Sequence, residues 1–480
     1  MYTNFLHQFQ QSVPDLWSSL WRLPREAMDL APSLPDDVLA AILRRLAPRG
    51  LAASRCVCKS WRRVVDAHRL LRADLLPLSL GGIFLNLLDL YFTQFLSRPT
   101  TGAAVSGRLD YTAPGEPDVV PLFYVLDHCN GLLLLDHCVV NPATRQWALL
   151  PPPPPLPQPP PPGMHFRTDH YLVFDPTLSP NYELFIMPDV PFKLNECEEF
   201  EWPPSTLILP VFSSNTGSWE ERTFGREGEA AGMVPGMVGS VRDCHHQCAY
   251  WRGALYICCS DCFVMRISLT DNKYRVIRLP TDVPEDREFY LGKSIKGVYC
   301  ASLFQGSQLQ VWFLNDPCGQ AEWVLKHDRD IFPILPNLNF DKQCDGPWIL
   351  QQFNYWQGVV QHSDEDSAVE DNNEAIVEEK FEWDSDNDNV LEPGSRSKDS
   401  YILFLGFHPY KEVVFLSDKL DRVLAYNWSS SKLQDLGKLF PKFYTDRPYQ
   451  YTWVKASFPY TPCWLGELPE KLNLEAQLED

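Results

Sequence analysis

Apolar and polar positions change their rhythm twice along this chain of 480 residues. Between residues 34 and 72 the rhythm is helical. Val38, Leu39, Ile42, Leu43 and Leu46 recur at three- and four-residue intervals and cover more than one narrow stripe. Ser33-Leu34-Pro35-Asp36-Asp37 is a helix start, with proline and acids in the first turn, where the helix dipole favours them. Pro48-Arg49-Gly50 breaks this helix, and a second segment carries Leu51, Val57, Trp61, Val64 and Val65. Ahead of it, Leu16, Trp17, Leu20, Trp21 and Leu23 fit one short amphipathic helix in an extension over 1–33.

From about residue 120 the pattern becomes short β-type runs separated by turns. One unit recurs: an apolar residue ends a strand, six turn-forming residues follow, and an aromatic or apolar residue opens the next strand. Val140-NPATRQ-Trp147, Phe212-SSNTGS-Trp219, Ile267-SLTDNK-Tyr274 and Tyr426-NWSSSK-Leu433 all keep this spacing. Phe174…Tyr182 and Phe313…Trp323 are looser copies. Repeated hairpins of this kind predict a β-propeller with blades of about 40–50 residues. β-Sandwich-like repeats or two stacked β-domains are the alternatives. The expected fold class is therefore mainly β with a small N-terminal α domain. Its divisions are an extension 1–33, a helical block 34–74, a connecting segment 75–119, a β domain 120–466 and a tail 467–480.

Composition sharpens this picture. The 42 prolines against 25 glycines favour many short elements and turns over an all-helical fold. Ten of those prolines lie in 151–162, which predicts a stiff polyproline II connector or a ligand for a proline-reading domain. The net charge of -20 argues against phosphate-driven nucleic-acid binding. It is also unevenly placed. Residues 362–392 hold thirteen Asp/Glu and one Lys, the signature of a solvated, self-repelling loop, whereas 34–74 is basic.

No basic segment followed by an apolar run opens the chain, so no signal peptide is expected. The most apolar window, Leu75 to Phe92, is interrupted by Pro77, Gly81, Gly82, Asn86 and Asp89, which argues against a membrane span. The fourteen cysteines then read as reduced thiols, and the expected location is the cytoplasm or nucleus.

Searches for catalytic patterns give little. Gly292-Lys293-Ser294 is not a phosphate loop, because Arg287 stands where the first glycine is needed. No Gly-x-Ser-x-Gly elbow and no His-Glu-x-x-His zinc helix occur. Cys244, His245, His246 and Cys248 with Cys258, Cys259 and Cys262 could supply four zinc ligands. Against this, Leu255, Ile257 and Cys259 alternate as one strand face and leave Cys258 on the other, so buried strand cysteines are the plainer reading. Neither a cofactor nor an enzymatic activity is expected.

Leu34-Pro-Asp-Asp-Val-Leu-Ala-Ala-Ile-Leu-Arg-Arg-Leu46, followed by Arg55-Cys-Val-Cys-Lys-Ser-Trp-Arg62, resembles an F-box. Leu80-Gly-Gly-Ile-Phe84, Asp127-His-Cys-Asn-Gly-Leu-Leu133, Val139-Val-Asn-Pro-Ala-Thr-Arg145 and Ser457-Phe-Pro-Tyr-Thr-Pro-Cys-Trp464 resemble the associated domain of plant, particularly grass, F-box proteins. That resemblance implies a kelch-like propeller. It also implies docking to a Skp-type adaptor, and through it to a cullin–RING ubiquitin ligase, with an unidentified protein as target. Carried over by motif position, Leu34, Pro35, Val38, Ile42, Leu51, Val57, Cys58 and Trp61 would form the docking surface and its support, with Arg62 and Arg63 at the rim. A propeller scaffold or ligand-binding protein outside a ligase, and a propeller enzyme, are the other function classes.

Overall fold

The computed structural model describes 35–45, Leu51, Ser54, 59–68 and Leu70 of the helical block. Beyond it, the described residues are 79–87, 92–99, 105–109, 124–158, 167–189, 200–234, 247–259, 263–280, most of 288–335, 346–351, parts of 383–391, most of 402–440, 454–464 and a few isolated positions. The expected extension helix lies outside them. The chain divides into two compact units, 1–77 and 78–480.

In the first unit, α1 (Asp36–Leu43) and α2 (Lys59–Ala67) pack together. Pro35 caps α1, and Asp36 and Asp37 occupy its first turn, as the sequence predicts. Leu39, Ala40 and Leu43 of α1 meet Val64 and Val65 of α2, with Leu51 and Leu70 completing a small buried core. Each of the leucines and valines contributes about 1.5–3 kcal/mol when fully buried. The exposed Asp36–Arg63 ion pair at 3.3 Å adds little beside that.

The second unit is built from strands. Two come first, β1 (Gly82–Leu87) and β2 (Gln94–Ser97). They fall in the stretch expected to be a connecting segment, so the β domain begins well before residue 120. Blade I follows: β3 (Asp127–Cys129), β4 (Leu132–Leu134), β5 (Cys138–Asn141) and β6 (Gln146–Leu149). Blade II has β7 (Thr168–Phe174), β8 (Tyr182–Pro188), β10 (Thr206–Ser213) and β11 (Ser218–Glu227). Its insertions β9 (Glu201–Trp202) and β12 (Gly232–Met233) pair with each other. Blade III has β13 (Cys248–Trp251), β14 (Ala254–Cys259), β15 (Phe263–Ser268) and β16 (Lys273–Arg278). Blade IV has β17 (Glu288–Ser294), β18 (Gly297–Phe304), β19 (Gln308–Asn315) and β20 (Glu322–Asp330). After β21 (Ile349–Gln351), blade V has β22 (Ile402–Phe407), β23 (Val413–Asp418), β24 (Arg422–Asn427) and β25 (Lys432–Lys438). The last strand, β26 (Val454–Tyr460), joins β1, β2 and β21 as blade VI.

The inner strands touch in a closed cycle, β3 to β7 to β13 to β17 to β22 to β26 and back to β3. Among the described residues this is a six-bladed propeller. Buried clusters fill the spaces between neighbouring blades all the way round. Burial on both faces explains why inner positions read as nearly continuous apolar runs.

The predicted turn unit is the hairpin between the third and fourth strands of a blade. Val140 lies opposite Trp147, Phe212 opposite Trp219, Ile267 opposite Tyr274, and Tyr426 opposite Leu433. The fifth turn residue is left-handed each time: Arg145, Gly217, Asn272 and Ser431 have φ of 56°, 68°, 55° and 57°. Glycine and asparagine tolerate that conformation, and the closed hairpin holds arginine and serine in it. Phe174…Tyr182 proves to be a different hairpin, between the first two strands of blade II.

Two insertions differ from expectation. The start of the proline run lies against blade II rather than standing free. Trp219 Nε1 donates to Pro151 O at 3.1 Å, and the Gln158 side-chain amide bonds Thr206 O and Ile208 N on β10. The end of the acidic stretch docks on blade V. Trp383 stacks on His408, Leu391 N donates to Leu433 O, and Val390 bridges Gln434. Deleting 362–382 should therefore leave the melting temperature of the β domain within a few degrees of wild type. Extending the deletion through Leu391 should lower it further by the equivalent of about 2 kcal/mol for the lost Trp383 packing. Differential scanning calorimetry of the two deletions checks this, and equal melting temperatures would count against the docked segment.

Candidate functional site

Two surfaces carry candidate chemistry, one in each unit. On α1, burial of Leu39, Ala40 and Leu43 turns the other side of the helix outward. Pro35, Val38 and Ile42, spaced three and four residues apart, fall together there; Pro35 is exposed, Val38 is 41% exposed and Ile42 is half-buried. Among the described residues of its own unit, nothing covers this apolar stripe. Leu51 is buried in the helical core, where it supports the stripe from behind, and half-buried Trp61 packs against the same core. Arg63 is committed to Asp36. Leu34, Val57 and Cys58 lie outside the described residues.

The second surface is a cavity of about 130 Å³ on the propeller axis, lined by all six inner strands. Asp127 is buried at its wall. It accepts hydrogen bonds from His128 N and Leu172 N, both at 2.7 Å, and from the Cys248 thiol at 3.3 Å. One carboxyl group thus ties blade I to blades II and III. Burial pushes Asp127 up to about 7, with these donors pulling the other way. Burial, helped by the Lys293 charge, holds His128 down at about 4, so its imidazole is neutral at pH 7. Burial, then the neighbouring Asp127, drives the Cys248 thiol well above its ordinary range. This cysteine is an unreactive thiol donor rather than a nucleophile.

Lys293 crosses the axis. It belongs to β17 of blade IV, yet its Nζ donates at 2.7 Å to Asn130 Oδ1 in blade I, three places away in the ring. Asn130 is held in turn by its Nδ2, which donates to Phe174 O at 2.6 Å in blade II. The sequence points to Lys293 only through the failed phosphate-loop motif. In the structure that motif is the end of a strand, and nothing in its local pattern says that the end reaches the axis. Gly292 is needed beside it, because a Cβ there would come within 2.4 Å of the Phe407 ring.

Of the zinc candidates, Cys258 and Cys259 fall on opposite faces of β14, and Cys248 is engaged with Asp127. Cys244, His245, His246 and Cys262 lie outside the described residues. No group of three or more His, Cys, Asp and Glu among the described residues is arranged to hold a metal ion. No helix among them is long and apolar enough to cross a membrane.

An F-box protein of Arabidopsis thaliana is 28% identical over 254 residues, which is 52% of this chain and 61% of that protein. The chain thus spans about three fifths of the length of that relative. Among solved structures, YCF48 bound to D1 peptide aligns with a TM-score of 0.32 at 9% identity, covering 75% of this chain and 82% of its own. The WD40 domain of SCAP from fission yeast aligns with a TM-score of 0.19 at 10% identity, covering 63% and 72%. The propeller is defined by its strand order and the closed inner ring. Residues 31–74 match the F-box-like family, so the chain carries an F-box-like domain at its N-terminal end.

Proposed function

We propose that this chain is the substrate-recognition subunit of a Skp–cullin–F-box ubiquitin ligase. The exposed stripe Pro35, Val38 and Ile42 docks on a Skp-type adaptor, with Leu34, Val57 and Cys58 extending it and Leu51 and Trp61 backing it. The β domain, read as a kelch-like propeller of a plant protein, binds the target in the cytoplasm or nucleus. Ubiquitin transfer belongs to partner proteins, and this chain supplies proximity and orientation, an effective-concentration effect. The observation that carries this reading is an apolar helix face open among the described residues of a domain that matches the F-box-like family.

A V38D/I42D double variant tests it. Both side chains lie outside the buried core, so the helical unit should still fold. Burying two carboxylates in an apolar interface should reduce co-precipitation with a Skp-type adaptor by more than tenfold. Wild type that does not bind the adaptor would remove the ligase reading, and undiminished binding by the double variant would remove the stripe.

A further inference from the structure

We propose that the axial cavity is a binding site for a small organic carboxylate, held by the Lys293 ammonium. Lys293 is half-buried where six blades converge, and Asn130 Oδ1, a neutral acceptor, is its one hydrogen-bond partner among the described residues. An ammonium group has three donors, so two remain for the contents of the cavity. No carboxylate among the described residues lies within ion-pair distance of it. Lys293 is partly withdrawn from bulk water, the Asp127 carboxyl acts on it only from beyond ion-pair distance, and a bound anion in direct contact stabilises it further.

The other charges around the cavity leave the anion's place open. Asp127 is the one carboxyl group in the described wall, and its oxygens are already engaged by His128 N, Leu172 N and Cys248. His128 contributes no positive charge at neutral pH, so Lys293 is the anion's sole cationic partner here. Asn130 fixes the ammonium, because its amide is anchored on Phe174 O and its turn is closed by Gly131. A preorganised cation of this kind binds an anion without first reorganising.

The rest of the wall sets size and shape. Tyr290 stacks on Phe404 with ring centroids 4.5 Å apart, and Phe458 meets His128 edge-on at 5.5 Å. Leu172, Leu291 and Phe407 complete an apolar lining. A cavity of about 130 Å³ is close to the ~150 Å³ of an engineered apolar cavity that accepts benzene. The occupant is therefore a flat or branched apolar body of roughly six to nine heavy atoms bearing one carboxylate, and benzoate is a suitable probe.

Calorimetric titration of the full chain with benzoate, and with benzamide as the uncharged control, tests the site. Benzoate should bind wild type at least tenfold more tightly than benzamide does. Lys293→Met should lower benzoate affinity at least tenfold and leave benzamide affinity unchanged. Asn130→Asp, which gives the ammonium an internal carboxylate partner, should lower benzoate affinity in the same way. Absence of benzoate binding to wild type, equal affinity for the two probes, or undiminished benzoate binding by a folded Lys293→Met or Asn130→Asp protein would overturn the proposal. Should both variants fail to fold, the comparison of the two probes on wild type decides. None of these measurements depends on adaptor binding.

Discussion

Removing residues 454–480 is expected to abolish the cooperative unfolding transition of the β domain. These residues supply β26, the inner strand of blade VI, which pairs with β1 from Gly82–Tyr460 to Leu87–Val454 across more than 360 positions of sequence. Tyr460 is fully buried, stands edge-on to Phe84 at 5.3 Å, and donates from its hydroxyl to Gly131 O of blade I at 3.1 Å. Beyond the strand, Cys463 O accepts from Asn141 Nδ2 at 2.9 Å, and Cys463 packs where any Cβ on Gly131 would strike it. Val454, Phe458, Tyr460 and Cys463 leave the core together, at about 1.5–3 kcal/mol for each large apolar side chain. The ladder bonds to β1 go with them, at about 1 kcal/mol each. The sum is comparable to the 5–15 kcal/mol that holds a typical domain folded. Tyr460→Ala alone should cost about 3–5 kcal/mol and keep the fold. Thermal melts followed by near-ultraviolet circular dichroism distinguish the cases. A truncated chain that melts cooperatively at the wild-type temperature would show that β26 does not close the ring.

That closure also marks where the sequence stops being legible. Turns are local, so the four hairpins were legible in the sequence, although the strands run one residue further into each turn than the six-residue unit suggests and leave four-residue connections. Pairing between β1 and β26 is not local, and GIFLNL at 82–87 carries no sign of its partner. From the sequence alone that strand falls in a connector. The four sequence segments that resemble F-box-associated domains meet here: Gly81 N donates to Tyr460 O, Asp127–Leu133 and Val139–Arg145 form blade I, and 457–464 spans the seam. The resemblance therefore falls on blade I and the seam that closes the ring. The apolar stripe on α1 was half legible. Helical spacing identified the apolar positions of α1, but which of them face inward depends on α2 and Leu51. The axial cavity was not legible at all, because six strands from six distant segments build it and Lys293 differs in no local way from any surface lysine.

Asp435→Ala is expected to destabilise the β domain by about 3–5 kcal/mol, the range for breaking a buried ion pair by removing one partner. Arg422 on β24 and Asp435 on β25 are both buried and meet through their side chains. Arg422 Nε donates to Asp435 Oδ1 at 3.0 Å, and its Nη2 donates to Oδ2, a two-pronged fit of guanidinium to carboxylate. Asp435 Oδ1 also accepts from Gly437 N at 3.1 Å, so the same substitution strips a backbone donor of its acceptor. There is little room to relax, since Gly437 Cα lies 2.5 Å from where a Cβ on Gly346 would stand. Urea denaturation of wild type and variant gives the difference directly, and a loss below 1 kcal/mol would mean that water reaches the guanidinium. The double variant Arg422→Met, Asp435→Leu separates charge from packing. It removes both ions while keeping apolar volume in the blade, and should recover at least half of the loss. A double variant as unstable as Asp435→Ala would instead place the cost in the shape of the site and in the orphaned Gly437 N–H, which neither apolar side chain can satisfy.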